Sequence, residues 1–288
     1  MLSTTEITKR SFQLYKENWK PMLLLGAVVL VLAELTGTSA EGDISASVLA
    51  LVLSVLVAPL TQGGYYFYLM NVWSEKPASV RDILYFCKSA GMYGKALCFF
   101  ICYMIATSVI ILFSFVPVLF AAFMNIPVHS MLIAYGITLL LLIPFFYLVL
   151  RLMLAPYLYV CDPEESAITV IAKSFEMMKG YVWKYLLISL AVLLIELIYI
   201  LPEYLLTSAG VNDGMVLALT FIPNLLVYPL VYLMTAGFAC EVLREYGVIA
   251  DENAEQTEDG AESFDDAGSD EHDAAIAEKI DDIYYDET

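Results

Sequence analysis

The chain has 288 residues, of which 60% are hydrophobic and 16% are charged, and its mean hydropathy is +0.73. Soluble domains contain roughly 45–50% apolar residues, so this composition excludes an ordinary soluble globular protein. The formal net charge of −18 argues against nucleic acid as a partner, because a chain with that excess of acidic residues repels phosphate.

Six apolar stretches follow one another along the chain, and each is near or above the roughly 20 residues that a helix needs to cross a bilayer. They lie at residues 20–35, 46–72, 95–124, 130–160, 184–207 and 214–243. The sequence therefore predicts an all-α polytopic membrane protein, with six transmembrane helices in a domain that comprises residues 1–247. A signal peptide ending near Thr38-Ser39-Ala40 is the second interpretation of the first stretch.

The 14 Lys and Arg residues predict the orientation of these spans. They precede the first stretch, lie between the second and third, surround the join of the fourth and fifth, and follow the sixth, whereas the other three connections carry none. Basic residues next to spans are retained in the cytoplasm. We therefore expect both termini to lie in the cytoplasm.

Each pair of spans is preceded by the same pattern, a capped amphipathic helix. The predicted capping boxes are Ser3-x-x-Glu6, Ser79-x-x-Asp82 and Asp162-x-x-Glu165, with Pro163 at the first helical position of the third. Apolar residues then recur at helical spacing: Ile7, Phe12, Leu14 and Tyr15; Val80, Ile83, Leu84 and Cys87; Ile168, Ile171, Phe175 and Met178. The helices are expected to end at Asn18, Gly91 and Gly180.

The fold prediction is therefore three hairpins, each entered from an interfacial helix on the cytoplasmic face. A shared pattern, Ser11-Phe12-x-Leu14-x-Lys16 and Ser174-Phe175-x-Met177-x-Lys179, indicates duplication of this unit. Amphipathicity does not reveal whether the apolar side of each helix contacts lipid or the bundle, so both interpretations stay open. Gly63-Gly64 predicts a close helix approach, and the aromatic residues at 65–68 predict an interfacial belt.

The third unit also carries a family resemblance, in Ala155-Pro156-Tyr157, Asp162-Pro163 and Ser174-x-x-Met177-Met178-Lys179-Gly180-Tyr181-x-Trp183-Lys184. This run resembles the signature of an uncharacterised family of bacterial multi-pass membrane proteins, which is similar in layout to the membrane domain of some glycerophosphodiester phosphodiesterases. The resemblance implies a bacterial inner membrane protein with no assigned reaction. The chain shows no soluble catalytic domain, so the hydrolase activity is not expected.

Glu196 is the clearest candidate for chemistry inside the membrane, where an acidic side chain is costly and tends to face the bundle interior. It lies about 18 Å along the helix from Lys184, near mid-membrane. Its expected hydrogen-bond partners are Tyr199, Asn224 and Tyr228. A coupling site for a proton or cation, or a polar anchor for a ligand, is one interpretation; a carboxylic acid bonded to a neighbouring helix is the other.

Aromatic and basic residues at the predicted inner interface are candidates for contact with lipid headgroups. They are Trp19, Lys20, Arg151, Lys179, Trp183 and Lys184. Clustered basic residues at the inner leaflet recruit anionic lipids, and Arg151 with Lys184 is the pair expected to bind a lipid phosphate. Snorkelling of Arg151 to the headgroups without such binding is the alternative.

Residues 248–288 form a separate acidic segment, with sixteen acidic residues and one Lys, whereas residues 1–247 carry thirteen basic and sixteen acidic residues. Low hydrophobicity and high charge predict a disordered cytoplasmic tail. Ile276, Ile280 and Ile283 could line one face of a short helix that docks a soluble or membrane protein partner, or the protein's own basic inner face. A solvated tail without a partner is the alternative.

The sequence contains no phosphate-binding loop and no serine nucleophile elbow, and its two histidines are far apart, so we expect no enzymatic activity, cofactor or metal. The leading prediction is a non-enzymatic membrane protein in a scaffolding, envelope or lipid-handling role at the inner leaflet. The alternative is a small-molecule or ion transporter that uses Glu196 and the proline-broken fifth and sixth helices, with Pro202, Pro223 and Pro229.

Overall fold

The computed structural model describes residues 2–37, 44–123 and 128–249, and every regular element in these ranges is a helix. The all-α class is therefore confirmed. The side chain of Tyr199, the segment Thr38-Ser39-Ala40 and the tail from residue 250 onward, which includes Ile276, Ile280 and Ile283, lie outside the described residues.

The helical elements follow one another with short connections. They are α1 (Thr4–Gly37), α2 (Ile44–Ala58), a π-helical turn (Pro59–Gly64), α3 (Tyr65–Trp73), a 3-10 helix (Val80–Lys88), α4 (Ala90–Phe123), α5 (Val128–Leu152), α6 (Ala155–Cys161), α7 (Ala167–Met177), α8 (Val182–Ser208) and α9 (Asp213–Glu245).

Four stretches within the described residues are long and apolar enough to cross a membrane: Val48–Trp73, Ala90–Phe113, Tyr135–Cys161 and Leu219–Glu245. The pair formed by α7 and Val182–Leu197 adds a fifth if it is one span, although the two helices are bent by 94°. These stretches suggest a membrane protein. The count of six spans and their arrangement as three hairpins stay predictions.

Helix α9 lies at the centre of the bundle. In an 18-residue apolar window of its candidate span 67% of the residues are buried, against 17–28% in the corresponding windows of the other three. Helices α1, α3, α6 and α8 all pack against it. Lipid is as apolar as these side chains, so close packing on α9, rather than exclusion from water, holds the neighbouring helices together in the hydrocarbon.

Two of the three predicted capping boxes are confirmed. The backbone N–H and hydroxyl of Ser3 donate to Glu6 Oε2 at 2.7 and 2.6 Å, and Glu6 N donates to Ser3 Oγ at 3.3 Å. These bonds from Ser3 lower the pKa of the Glu6 carboxyl, so the box persists as the pH falls towards the ordinary range of a carboxyl. Ser79 and Asp82 form the second box, which opens a 3-10 helix.

The third predicted box is wrong. Asp162 closes α6 instead, because its N–H donates to the carbonyl of Leu158 at 3.1 Å and its side chain accepts from Glu164 N at 3.1 Å. Helix α7 begins four residues later than predicted, at Ala167, where Ser166 Oγ accepts from Thr169 N at 3.2 Å. Asp162 and Ser166 are both polar residues that can begin a helix. Because the backbone N–H of Asp162 is bonded to a carbonyl at the end of α6, Ser166 begins α7 instead.

The three units use different joints between the amphipathic helix and the following span. Asn18 is non-helical, at φ −111° and ψ 19°, and kinks α1 as the sequence predicts. Gly180, at φ +98°, separates α7 from α8, also as predicted. The prediction for Gly91 is wrong: the break lies at Ser89, which is extended at φ −147° and ψ 152°, and Gly91 is inside α4.

The prediction that proline breaks the fifth and sixth spans is wrong. Helix α8 continues through Pro202, and α9 continues through Pro223 and Pro229. Neighbouring groups in a bundle tolerate the lost backbone hydrogen bond. The predicted stretch 130–160 is instead interrupted at residues 153–154, next to Pro156, which lies in the first turn of α6, where a missing N–H costs least.

The amphipathic helices pack their main apolar side on the bundle and leave a second apolar set outside. The buried set includes Ile7, Leu14, Ile83, Phe86, Val170 and Met177. The outer set includes Phe12, Leu84 and Ile168, with exposed fractions of 50%, 52% and 78%. The matching patterns in α1 and α7 lie in equivalent environments, since Ser11 and Ser174 are both fully buried.

A substitution at Gly64 tests the close approach of the π-helical turn to the 3-10 helix, because a Cβ at this position would overlap the backbone carbonyl of Ile83. We expect Gly64→Ala to lower the thermal unfolding midpoint in detergent, at a cost of roughly 3 kcal/mol or more. Gly94→Ala in α4 is the matched control, because nothing lies within 4 Å of its Cβ. Equal midpoints for the two variants would contradict the packing.

Candidate functional site

Glu196 lies half-buried on α8, within electrostatic range of Tyr232 on α9. Tyr232 contacts Tyr228, with ring centroids 4.3 Å apart. Tyr232, which the sequence analysis missed, therefore interacts electrostatically with Glu196 and packs against the predicted Tyr228. Hydrogen bonds from Glu196 to Tyr199, Asn224 or Tyr228 stay a prediction. Asn224 is half-buried on α9, two turns before Tyr232 along the helix.

The aromatic residues that follow Gly63-Gly64 are core, not an interfacial belt, which corrects the sequence interpretation. Tyr65 is fully buried, with ring centroids 6.1 Å from Tyr228 and 5.7 Å from Tyr232. Its hydroxyl has no hydrogen-bond partner among the described residues. Tyr66 stacks on Tyr157 at 4.7 Å. The result is a tyrosine cluster on α3, α6 and α9, whose member Tyr232 interacts electrostatically with Glu196.

Most of the predicted interface residues are exposed, whereas Arg151 contacts other protein groups. Trp183 is 76% exposed and Trp19 is 48% exposed, and the lysines that follow them, Lys184 and Lys20, are exposed as well. The Lys20 ammonium lies over the Trp19 ring at 5.7 Å, and the Lys184 ammonium lies over a neighbouring tyrosine ring at 5.4 Å. Lys179 is exposed at the end of α7. Aromatic rings with adjacent ammonium groups suit the headgroup region of a bilayer.

The Arg151 side chain forms its hydrogen bonds with the protein backbone. Its Nε donates to the carbonyl of Phe175 at 2.8 Å, and a second nitrogen donates to the same oxygen. The guanidinium lies 5.2 Å from the Phe175 ring centroid, and the Arg151 carbonyl accepts from Ser174 Oγ at 2.7 Å. These contacts tie the end of α5 to α7. The binding of a lipid phosphate by Arg151 together with Lys184 stays a prediction.

A cationic clamp joins α1 to the turn after α3. Arg10 Nη2 donates to the carbonyl of Trp73 at 3.1 Å and to Glu75 Oε1 at 2.9 Å, and its guanidinium lies 4.9 Å from the Trp73 ring centroid. Glu75 has φ +55°, a left-handed conformation that is uncommon for a residue other than glycine. The sequence analysis missed this clamp because its partners belong to no motif and are 65 residues apart.

A cleft of about 680 Å³ lies beside this clamp, between the first half of α1 and the segment after α3. It is lined by Leu2, Glu6, Lys9, Arg10, Gln13, Leu14, Glu17, Asn18, Val72, Glu75, Lys76 and Ala78. Its volume falls within the range of about 300–1,000 Å³ that is typical of small-molecule sites. No group of three or more His, Cys, Asp or Glu side chains suited to a metal ion occurs in the part of the chain that the structure describes.

A family model described as a protein of unknown function (DUF975) matches residues 1–239. This match agrees with the resemblance to an uncharacterised family. No curated protein and no solved structure matches the chain. The similarity in layout to the membrane domain of glycerophosphodiester phosphodiesterases stays a prediction.

The role of Arg151 as a tie between α5 and α7 leads to a stability prediction. We expect Arg151→Gln to lower the free energy of unfolding by about 1.5–3 kcal/mol, the usual contribution of a hydrogen bond to a charged group. Titration with a denaturing detergent measures the change. The control is Arg81→Gln, an exposed site in the 3-10 helix, where little change is expected. A larger loss in the control would contradict the assignment.

Proposed function

The chain belongs to the DUF975 family, whose function is unknown, and we propose that it is a non-enzymatic, six-span protein of the bacterial inner membrane with both termini in the cytoplasm. In this proposal its cytoplasmic amphipathic helices contact anionic lipid headgroups, in a scaffolding, envelope or lipid-handling role. The observation that carries the proposal is the exposure of Trp183, at 76%, next to the exposed Lys179 and Lys184.

The outer sides of the three amphipathic helices support lipid as the contact. Phe12, Leu84 and Ile168 point away from the bundle, although other apolar residues of the same helices are buried. Apolar side chains between exposed lysines match a surface that lies at the boundary of headgroups and acyl chains. A surface that contacts only water would not favour an apolar side chain such as Ile168, which is 78% exposed.

Tryptophan fluorescence tests whether Trp183 lies at the interface. The chain has three tryptophans, and Trp73 is fully buried, so the Trp19→Phe variant leaves Trp183 as the accessible fluorophore. We expect lipids brominated near the headgroup to quench its emission in proteoliposomes more than aqueous iodide does. Trp19→Phe combined with Trp183→Phe is the control and should lose most of the quenching. Quenching of Trp183 by iodide alone would contradict the interfacial position.

The lysines next to Trp183 should select anionic lipid. We expect Lys179→Gln and Lys184→Gln each to reduce the anionic lipid retained in native mass spectrometry by about fivefold, since each Lys near a charged surface contributes ~1 kcal/mol. Lys173→Gln on α7 is the matched control, because Lys173 forms an ion pair with Glu165. An equal loss in the control would point to net charge and not to these two sites.

Transport is the second candidate, favoured by the half-buried carboxyl of Glu196 beside Tyr232 and the tyrosine cluster. An intramembrane carboxyl that carries a proton or cation should react with a hydrophobic carbodiimide in native membranes. In this case we expect labelling of Glu196, and loss of any coupled flux in Glu196→Gln. Labelling of loop acids without Glu196 would leave it a packed structural group.

A further inference from the structure

The cleft between α1 and the segment after α3 has the properties of a ligand site. Its charged residues on α1 are Glu6, Lys9, Arg10 and Glu17, two acidic and two basic. Leu14, Val72 and Ala78 supply an apolar part of the wall. Sites of this kind combine apolar surface with a few placed polar groups that orient the ligand.

Arg10 is held in one orientation at this cleft. Both of its described hydrogen bonds leave from Nη2, one to the Trp73 carbonyl and one to Glu75, and the Trp73 ring supports the guanidinium from one side. The donors on Nε and Nη1 take no part in these two bonds. A guanidinium whose rotamer is fixed in advance suits a phosphate oxygen, which can accept a charge-assisted hydrogen bond from Nε or Nη1.

Lys9 and Lys76 line the same cleft as Arg10, so three cations surround one volume. Three carboxylates, those of Glu6, Glu17 and Glu75, line it as well. The formal charges of the lining therefore balance. A ligand with several negative charges would lose with the carboxylates what it gains with the cations, whereas a ligand that carries both signs can satisfy both sets.

We infer that the cleft binds a phosphate ester that also carries an ammonium group, that is, an aminoalkyl phosphate. Lys9, Arg10 and Lys76 contact the phosphate, and the ammonium faces Glu6. Such a group is available as a lipid headgroup or as a free small molecule. The inference rests on the proposed function only for the lipid source, because a free molecule can enter from the cytoplasm.

Titration calorimetry on the full chain in detergent tests the ligand class, with phosphoethanolamine, inorganic phosphate and ethanolamine as probes. We expect phosphoethanolamine to bind at least about tenfold more tightly than either of the others, since each lacks one set of charge-assisted bonds. Equal affinity for inorganic phosphate, or no heat with phosphoethanolamine at millimolar concentration, would overturn the inference.

Single-residue variants test whether phosphoethanolamine binds in this cleft. Lys9→Gln should weaken phosphoethanolamine about tenfold, and the exposed Lys16→Gln, outside the cleft, should leave it unchanged. Glu6→Gln should weaken phosphoethanolamine but not inorganic phosphate, and Gln at this position keeps the capping box. Equal effects of Lys9→Gln and Lys16→Gln would place the ligand elsewhere and overturn the inference.

Two further arms separate this inference from the proposed function and identify the source. Lys179→Gln with Lys184→Gln should leave phosphoethanolamine binding unchanged, because neither residue lines the cleft. A loss in this double variant would assign the binding to the interface residues and overturn the inference. Displacement of phosphoethanolamine by nanodiscs of phosphatidylethanolamine, and not by nanodiscs of phosphatidylcholine, supports a lipid headgroup; no displacement supports a free ligand of the same chemistry.

Discussion

The contact between Trp73 and Gly237 organises the part of the bundle where α1, α3 and α9 meet. A Cβ at Gly237 would overlap the indole ring, so α3 ends directly on the backbone of α9. The same ring also contacts α1, because its centroid lies 4.9 Å from the Arg10 guanidinium. One fully buried side chain therefore fixes three helices relative to one another, and the position of the cleft follows from that arrangement.

Other small residues extend the same principle through the protein. A Cβ at Gly26 would crowd Pro229, and one at Gly63 would overlap the Phe86 ring. Close approach of this kind suits a membrane bundle, in which lipid competes with apolar side chains and only tight packing distinguishes protein from solvent. The candidate spans that begin in α4 and α5, with 17% and 22% of an 18-residue window buried, expose mostly apolar surface instead.

The sequence predicted features whose cause is local. The capping boxes at Ser3 and Ser79 and the kink at Asn18 depend on residues within one turn, and the apolar stretches depend on composition alone. Asp162 misled the prediction because it satisfies the rule for a helix start while its backbone already closes the preceding helix. The tyrosines after Gly64 were interpreted as a belt because their burial depends on α6 and α9, far away in the chain.

The clamp between Arg10 and Glu75 could not be predicted from local sequence, and its ion pair contributes only part of what holds the turn. Glu75 is 68% exposed, and exposed ion pairs contribute only about 0–1 kcal/mol. The left-handed backbone at Glu75 costs roughly 1–3 kcal/mol. The ion pair therefore does not offset the strain by itself. What the strained turn does achieve is orientation, since it places a carboxylate and a carbonyl on the same guanidinium nitrogen. The same turn also closes α3, because the Glu75 N–H donates to the Val72 carbonyl at 3.2 Å and the Lys76 N–H donates to the Asn71 carbonyl at 2.9 Å. A left-handed residue at this position satisfies carbonyls at the end of a helix, so Glu75 serves the helix terminus as well as the clamp.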